Sequence, residues 1–357
     1  MTVPSPALRI AQIAPPSIAC PPNGYGASEL VASTLTEELV RQGHDVTLFA
    51  HPESTTSAGH VFFPEVYALT KPEDRELAHM ALAFERAGEF DIIHNHCIQP
   101  GPAAIHTVDA ALTTLHYVRP LLRTFASHPY VALSRSQRLN HPDLNIVGVA
   151  YNGIDCSTFD VVDEKEEYLL WIGRIDPKKG PHLAIEVARR TGRRLLLAAG
   201  HPTKDNLEYW ERQVKPGLGG GIEYIGHVTA AEKPPLIGRA QAVLMPHQWE
   251  EPFGLVAIEA MAAGTPVIAF RRGALPEIVP NGIGGMVVDT VEEMAGMVPK
   301  VESIDPWMCR RHVEENFSAA AMAASYVAIY QRVLETPRIL TLSSKSKQAE
   351  TAVERAS

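Results

Sequence analysis

Short apolar runs alternate with helix-period patterns along nearly all of the 357 residues, and the whole series occurs twice. An apolar run of strand length is buried on both faces only when helices cover it, which is the condition of a parallel sheet in an α/β protein. In the first half the pattern predicts strands at Leu8–Ile13, Asp45–Ala50, Asp91–His94, Leu112–His116, Tyr130–Leu133 and Ile146–Ala150. It starts again with strands expected at Tyr168–Ile172, Arg194–Ala199, Ile222–Ile225, Ala242–Met245, Pro266–Ala269 and Met286–Val288. Between the halves, Asn152 to Lys165 is turn-rich and then acidic, as a linker is. Two Rossmann-like units with a cleft between them are therefore expected. Helical patterns at Pro306–Glu315 and Ser318–Leu334 complete the fold, and residues 337–357 are too polar to pack, so disorder is expected there.

The composition, 45% apolar and 20% charged, is that of a globular chain that needs no staples. Cys20, Cys97, Cys156 and Cys309 occur singly, which fits a reducing compartment and argues against a disulfide framework or structural zinc. The sequence contains no membrane-length apolar run and no basic N-terminal region leading into one, so an unexported, cytoplasmic protein is expected, with peripheral membrane contact left open. A net charge of -9 disfavours nucleic acid as a partner.

The segment Trp249 to Phe270 carries the most chemistry. Glu251 and Glu259 stand eight residues apart, on either side of a helix start that follows Pro252, Phe253 and Gly254. At 1.5 Å per helical residue they span roughly 12 Å, and the free amides of Gly254, Leu255 and Val256 would lie between them. Such amides attract phosphate. A ligand with hydroxyls at each end and phosphate in the middle fits, as a nucleoside diphosphate sugar does. An ordinary amphipathic helix with solvated acids fits the spacing equally well. Glu250 also leaves the register open.

Trp171 to Pro181 reads as a strand, then a loop carrying Arg174 and Lys179, then a helix, so two cations meet at a strand end where diphosphate oxygens can be held. A solvated basic turn has the same pattern, and no Walker sequence is present. Gly24 and Gly26 follow the first strand, but Glu29 stands where a dinucleotide fingerprint needs its third glycine. His94 and His96 end the Asp91–His94 strand; read as lying on alternate sides of it, one packs and one works. No third ligand is spaced to make this pair a metal site, there is no Asp-x-Asp sequence to hold a divalent ion, and His116 is expected to be structural.

In order along nearly the whole chain, the glycine loop Gly24–Glu29, LVRQGHDVTLFA, FDIIHNH, YNGID, GRIDPKKG, EPFGLVAIEAMAAGTPVIA and GALPEIV resemble the family 4 retaining glycosyltransferases of the GT-B fold. The resemblance implies two Rossmann-like α/β domains with parallel sheets facing each other across a cleft. Residues 1–155 would form the acceptor domain and 166–316 the nucleotide-sugar donor domain, with a helix at 317–335 packing back toward the first. It implies an E-x7-E motif in which Glu251 contacts the donor sugar and Glu259 the ribose, with Arg174 and Lys179 on the diphosphate and His96 beside the sugar and acceptor. Gly26, Phe253, Gly254, Leu255 and Val256 would bring backbone to the donor. The expected catalytic set is then His96, Arg174, Lys179 and Glu251, with no metal and no cofactor beyond the donor, a UDP-sugar ahead of a GDP- or ADP-sugar. The family usually has paired glycines where this chain has Gly26 and Ala27, so the loop there is expected to differ in shape or to tighten the acceptor pocket. Other readings are a nucleotide-sugar epimerase or related GT-B enzyme, and a non-catalytic sugar-nucleotide-binding protein.

Overall fold

A computed structural model of the chain describes residues 6–97 and 110–335. Residues 98–109 and residues 337–357, for which disorder is expected, lie outside the described residues. Among the described residues, thirteen strands form two sheets, both parallel throughout.

The first sheet contains β1 (Arg9–Ile13), β2 (Asp45–Phe49), β3 (Gly59–Val61), β4 (Ile92–Asn95), β5 (Ala111–Thr114), β6 (Tyr130–Ala132) and β7 (Ile146–Val149), in the order β3-β2-β1-β4-β5-β6-β7. The second contains β8 (Tyr168–Ile172), β9 (Arg194–Ala198), β10 (Ile222–Gly226), β11 (Ala242–Met245), β12 (Val267–Phe270) and β13 (Gly285–Val288), in the order β10-β9-β8-β11-β12-β13. Central strands such as β11 and β12 are buried at every residue, as strands covered by helices on both faces must be. Only β3 has no counterpart in the sequence pattern.

Strand order reverses between β1 and β4 in the first sheet and between β8 and β11 in the second. Loops leaving adjacent strands on opposite sides of such a reversal diverge and open a crevice at the carboxyl edge, where ligands bind in open α/β sheets. The expected site segments follow these four strands.

The helices around the sheets include α1 (Ala27–Arg41), α2 (Pro72–Glu85), α3 (Arg135–Asn140), α4 (Pro181–Thr191), α5 (Lys233–Arg239), α6 (Leu255–Ala262), α7 (Leu275–Ile278), α8 (Val291–Met297), α9 (Pro306–Asn316) and α10 (Ala319–Glu335). The chain passes between the sheets twice, and the two crossings are tied where Ile154 N–H donates to the Phe317 carbonyl at 3.0 Å and Ala319 N–H to the Ile154 carbonyl at 2.9 Å. Beyond the second crossing, α10 buries Met322, Ala323, Tyr326, Ile329 and Tyr330 in the same cluster as Ile10, Leu35 and Ile92 of the first domain. Among the described residues no helix is long and apolar enough to cross a membrane.

Candidate active site

The loop after β8 and the loop after β11 meet because those strands are neighbours in the sheet. Gly180 makes the approach possible: its φ is 68°, and a Cβ there would stand 2.3 Å from the Pro246 carbonyl oxygen. At the meeting point Lys179 Nζ donates to Glu251 Oε2 at 2.6 Å, and Trp249 Nε1 donates to the same oxygen at 2.9 Å. His247 Nδ1 lies 2.7 Å from that oxygen as well, as a close charge contact without hydrogen-bond alignment. The Lys179 ammonium also stands 4.9 Å from the centre of the Trp249 ring. Burial pushes the Glu251 carboxyl up, but Lys179 and His247 outweigh it and bring it down to about 2. Burial holds His247 below its ordinary value, with Glu251 acting in the opposite direction.

The structure also separates Glu251 from Glu250. Glu251 is buried at the crevice, whereas exposed Glu250 accepts from the Gly273 N–H at 2.8 Å, on the far side of the loop. Eight residues on, Glu259 sits in the first turns of α6 with its carboxylate facing α5, where Lys233 Nζ donates to Oε1. Lys233 was invisible to motif reasoning, because only the fold brings it to Glu259.

Gly254 precedes α6 at φ 101°, and no side chain caps the helix. The Leu255 and Val256 amides, in the first turn, therefore have no helical acceptor to reach. Phe253 is buried against Tyr151 and Phe317, with ring centroids 6.2 and 5.9 Å away, which fixes the turn from below. Arg174 follows β8 with its side chain 55% exposed, and its nearest acid is Asp176 at 3.8 Å. Its guanidinium is thus held loosely, unlike the ammonium of Lys179.

On the facing domain the two histidines correct the expectation drawn for them. Residues two apart share a strand face, and the rings of His94 and His96 lie side by side, 4.0 Å between centroids, both fully buried. Neither is on the far side of the sheet. His96 Nε2 donates to Gln12 Oε1 at 2.8 Å, which leaves Nδ1 to accept from His116 Nε2 at 2.9 Å. Gln12 Nε2 donates to the Tyr330 hydroxyl at 3.1 Å, and that hydroxyl lies 2.7 Å from His94 Nδ1. His94 Nε2 reaches Thr114 Oγ1 at 2.7 Å, which lies 2.8 Å from the Tyr326 hydroxyl. The chain of bonds runs inward to α10. His116, half-buried after β5, is its outer end, whereas His96 is fully buried. Burial drives His94 and His96 well below the ordinary imidazole value and His116 to about 4, so the three rings are neutral at pH 7.

The glycine loop is shaped by Gly24 and Gly26, with φ of 113° and 139°. Ala27 begins α1 in ordinary backbone conformation with its methyl exposed. A Cβ on Gly24 would come within 2.7 Å of the His227 ring, after β10, so the two domains touch there. They face each other again where the Tyr117 and Trp249 rings stand 6.5 Å apart. Among the described residues no group of three or more His, Cys, Asp or Glu side chains could hold a metal ion.

This architecture and these segments match known proteins. Residues 159–316 match the family model Glycosyl transferases group 1. An uncharacterized glycosyltransferase from Methanocaldococcus jannaschii is 25% identical, covering 83% of this chain and 90% of that protein. A D-inositol 3-phosphate glycosyltransferase from Mycobacterium sp. is 26% identical over 72% of this chain and 70% of its own length. Among solved structures, AviGT4, a glycosyltransferase involved in avilamycin A biosynthesis, superposes with a TM-score of 0.74 at 26% identity, covering 92% of this chain and 98% of that one.

Proposed function

We propose that this chain, a glycosyltransferase of the GT-B fold, moves a hexosyl unit from a nucleoside diphosphate sugar to an acceptor hydroxyl, with retained anomeric configuration and without a catalytic metal. The observation that carries the reading is the buried Glu251 carboxylate, held by Lys179, Trp249 and His247 directly before the uncapped amides of Leu255 and Val256. A carboxylate held ionised binds sugar hydroxyls, and first-turn amides bind phosphate.

Glu259 completes the donor site as the ribose anchor. Its pairing with Lys233 means that ribose hydroxyls share or displace one ammonium contact. In transfer the anomeric C–O bond to the diphosphate breaks as the bond to the acceptor oxygen forms, and negative charge grows on the departing diphosphate. Arg174, Lys179 and the α6 amides are the groups that stabilise that charge more than they stabilise bound donor. Loosely held Arg174 can turn toward the diphosphate without breaking a buried ion pair. His116 presents a neutral ring to the acceptor side, oriented by His96, so His96 acts through His116.

The test is nucleotide release from UDP-, GDP- and ADP-sugars with and without a panel of hydroxyl acceptors, with the product anomer read by NMR. Acceptor-dependent release, greatest with a UDP-sugar and unchanged by EDTA, is expected. Conversion of the donor without any acceptor would replace transfer by epimerisation, and binding without turnover would leave a sugar-nucleotide-binding protein.

A further inference from the structure

We infer that Glu277 is a positioning residue that clamps the two domains and sets the distance between donor and acceptor across the cleft. Glu277 lies on α7 of the second domain, yet its carboxylate is spent on the first. Oε2 accepts from the Arg135 N–H at 3.0 Å and Oε1 from the Ser136 N–H at 2.6 Å, the first two amides of α3. Oε2 also accepts from the Tyr151 hydroxyl at 2.8 Å, at the start of the crossing between domains.

The first four amides of a helix need acceptors from outside it. In α3 the Ser134 Oγ accepts from the Gln137 N–H at 3.0 Å, and the helical ladder begins with the Arg138 N–H donating to the Ser134 carbonyl at 3.1 Å. The Arg135 and Ser136 amides at the start of the helix have Glu277 as their acceptor, so this helix end is completed by the opposite domain. A carboxylate there also meets the positive end of the helix.

The clamp connects directly to the donor loop. Three residues before Glu277, the Ala274 N–H donates to the Glu251 carbonyl at 2.8 Å, and a Cβ on Gly273 would strike the Glu251 backbone at 2.2 Å. Tyr151 meanwhile packs on Phe253. One rigid unit therefore carries both Glu251 and the interdomain bonds, so the domain angle and the place of Glu251 cannot change independently.

The inference rests on the donor-site reading above only for its catalytic consequence. Glu277→Gln keeps the size but puts an amide NH2 against donors. Arg135→Pro removes one donor from the other domain; Ser134 is already extended and proline suits the first position of a helix, so α3 tolerates it. Small-angle scattering of the ligand-free full chain should show a larger radius of gyration in both variants, and amide exchange at Ser136 should speed up in Glu277→Gln. With UDP-glucose as donor and water as acceptor, kcat should fall about tenfold while KM stays within about twofold, the split expected when alignment and not binding is lost. An unchanged radius with unchanged kcat overturns the clamp. If Glu277→Gln loses its circular dichroism, Arg135→Pro decides by the same two readings. If wild type neither binds UDP nor releases it from UDP-glucose, the donor reading fails instead, and the scattering comparison still decides the clamp.

Discussion

Lys233 Nζ lies 2.5 Å from Glu259 Oε1, joining the successive helices α5 and α6 and pairing a carboxylate that is 2% exposed. Removing one partner of such a pair leaves the other charge without compensation, which costs on the order of 3 kcal/mol. Lys233→Met is therefore expected to lower the urea midpoint by a corresponding amount. Glu259→Gln should weaken UDP binding about tenfold in a calorimetric titration. A Lys233→Met protein as stable as wild type would show that water, not lysine, compensates Glu259.

Glu251 gives a pH signature of its own. Its folded pKa of about 2 lies below the ordinary 4.5, so its ionised form contributes stability above pH 4.5 that is lost as pH falls toward 2. The shift corresponds to about 3 kcal/mol at full effect. Denaturant melts between pH 7 and pH 3.5 should show wild type declining more steeply below pH 4.5 than Glu251→Gln. The same variant should lose discrimination among donor sugars. Parallel curves for the two proteins would remove Lys179 and His247 as the cause of the depression.

Most of the sheet architecture was legible in the sequence, because a strand buried on both faces must be written almost entirely in apolar residues. Tyr168–Ile172 and Ala242–Met245 coincide with the expected strands, and others differ at their ends. Gly59–Val61 was not legible: it is a three-residue edge strand with no buried residue, and its Gly-His-Val has no apolar run. The E-x7-E segment could be read because both acids lie on one local stretch. Lys233, Gln12, Tyr326 and Tyr330 could not, since topology alone carries them to Glu259 and His96. Tyr326 and Tyr330, four apart on α10, did share a helix face, but nothing in the sequence said which partners that face would meet.

The buried histidines predict a second acid transition, earlier than that of Glu251. His116 is held at about 4 in the folded chain against an ordinary 6.5, so it takes up its proton more readily when unfolded. Stability is complete above pH 6.5 and falls as pH drops toward 4, by at most about 3 kcal/mol from this ring alone. His94 and His96, also depressed by burial, act in the same direction. Urea midpoints at pH 7.5 and pH 5 should differ clearly in wild type and less in His116→Gln, whose amide can still donate to His96. Equal pH sensitivity in the two would mean that His116 takes no part in the transition.

Arg174 separates catalysis from folding more cleanly than any other residue of the site. Its side chain is 55% exposed and its nearest acidic neighbour among the described residues is 3.8 Å away, so truncation removes almost nothing that holds the protein together. Arg174→Ala should change stability by no more than about 0.5 kcal/mol. Its guanidinium is nevertheless held loosely enough to close on a departing diphosphate, whereas Lys179 is already paired with Glu251. Removing a group that stabilises charge formed in the transition state costs about 100-fold in kcat or more. Arg174→Lys should recover only part of that, since an ammonium cannot bridge two phosphate oxygens as the planar fork does. The decisive measurement is kcat for nucleotide release beside the melting temperature of the same preparation. A folded Arg174→Ala enzyme with normal turnover would leave Lys179 and the α6 amides as the only groups carrying the charge.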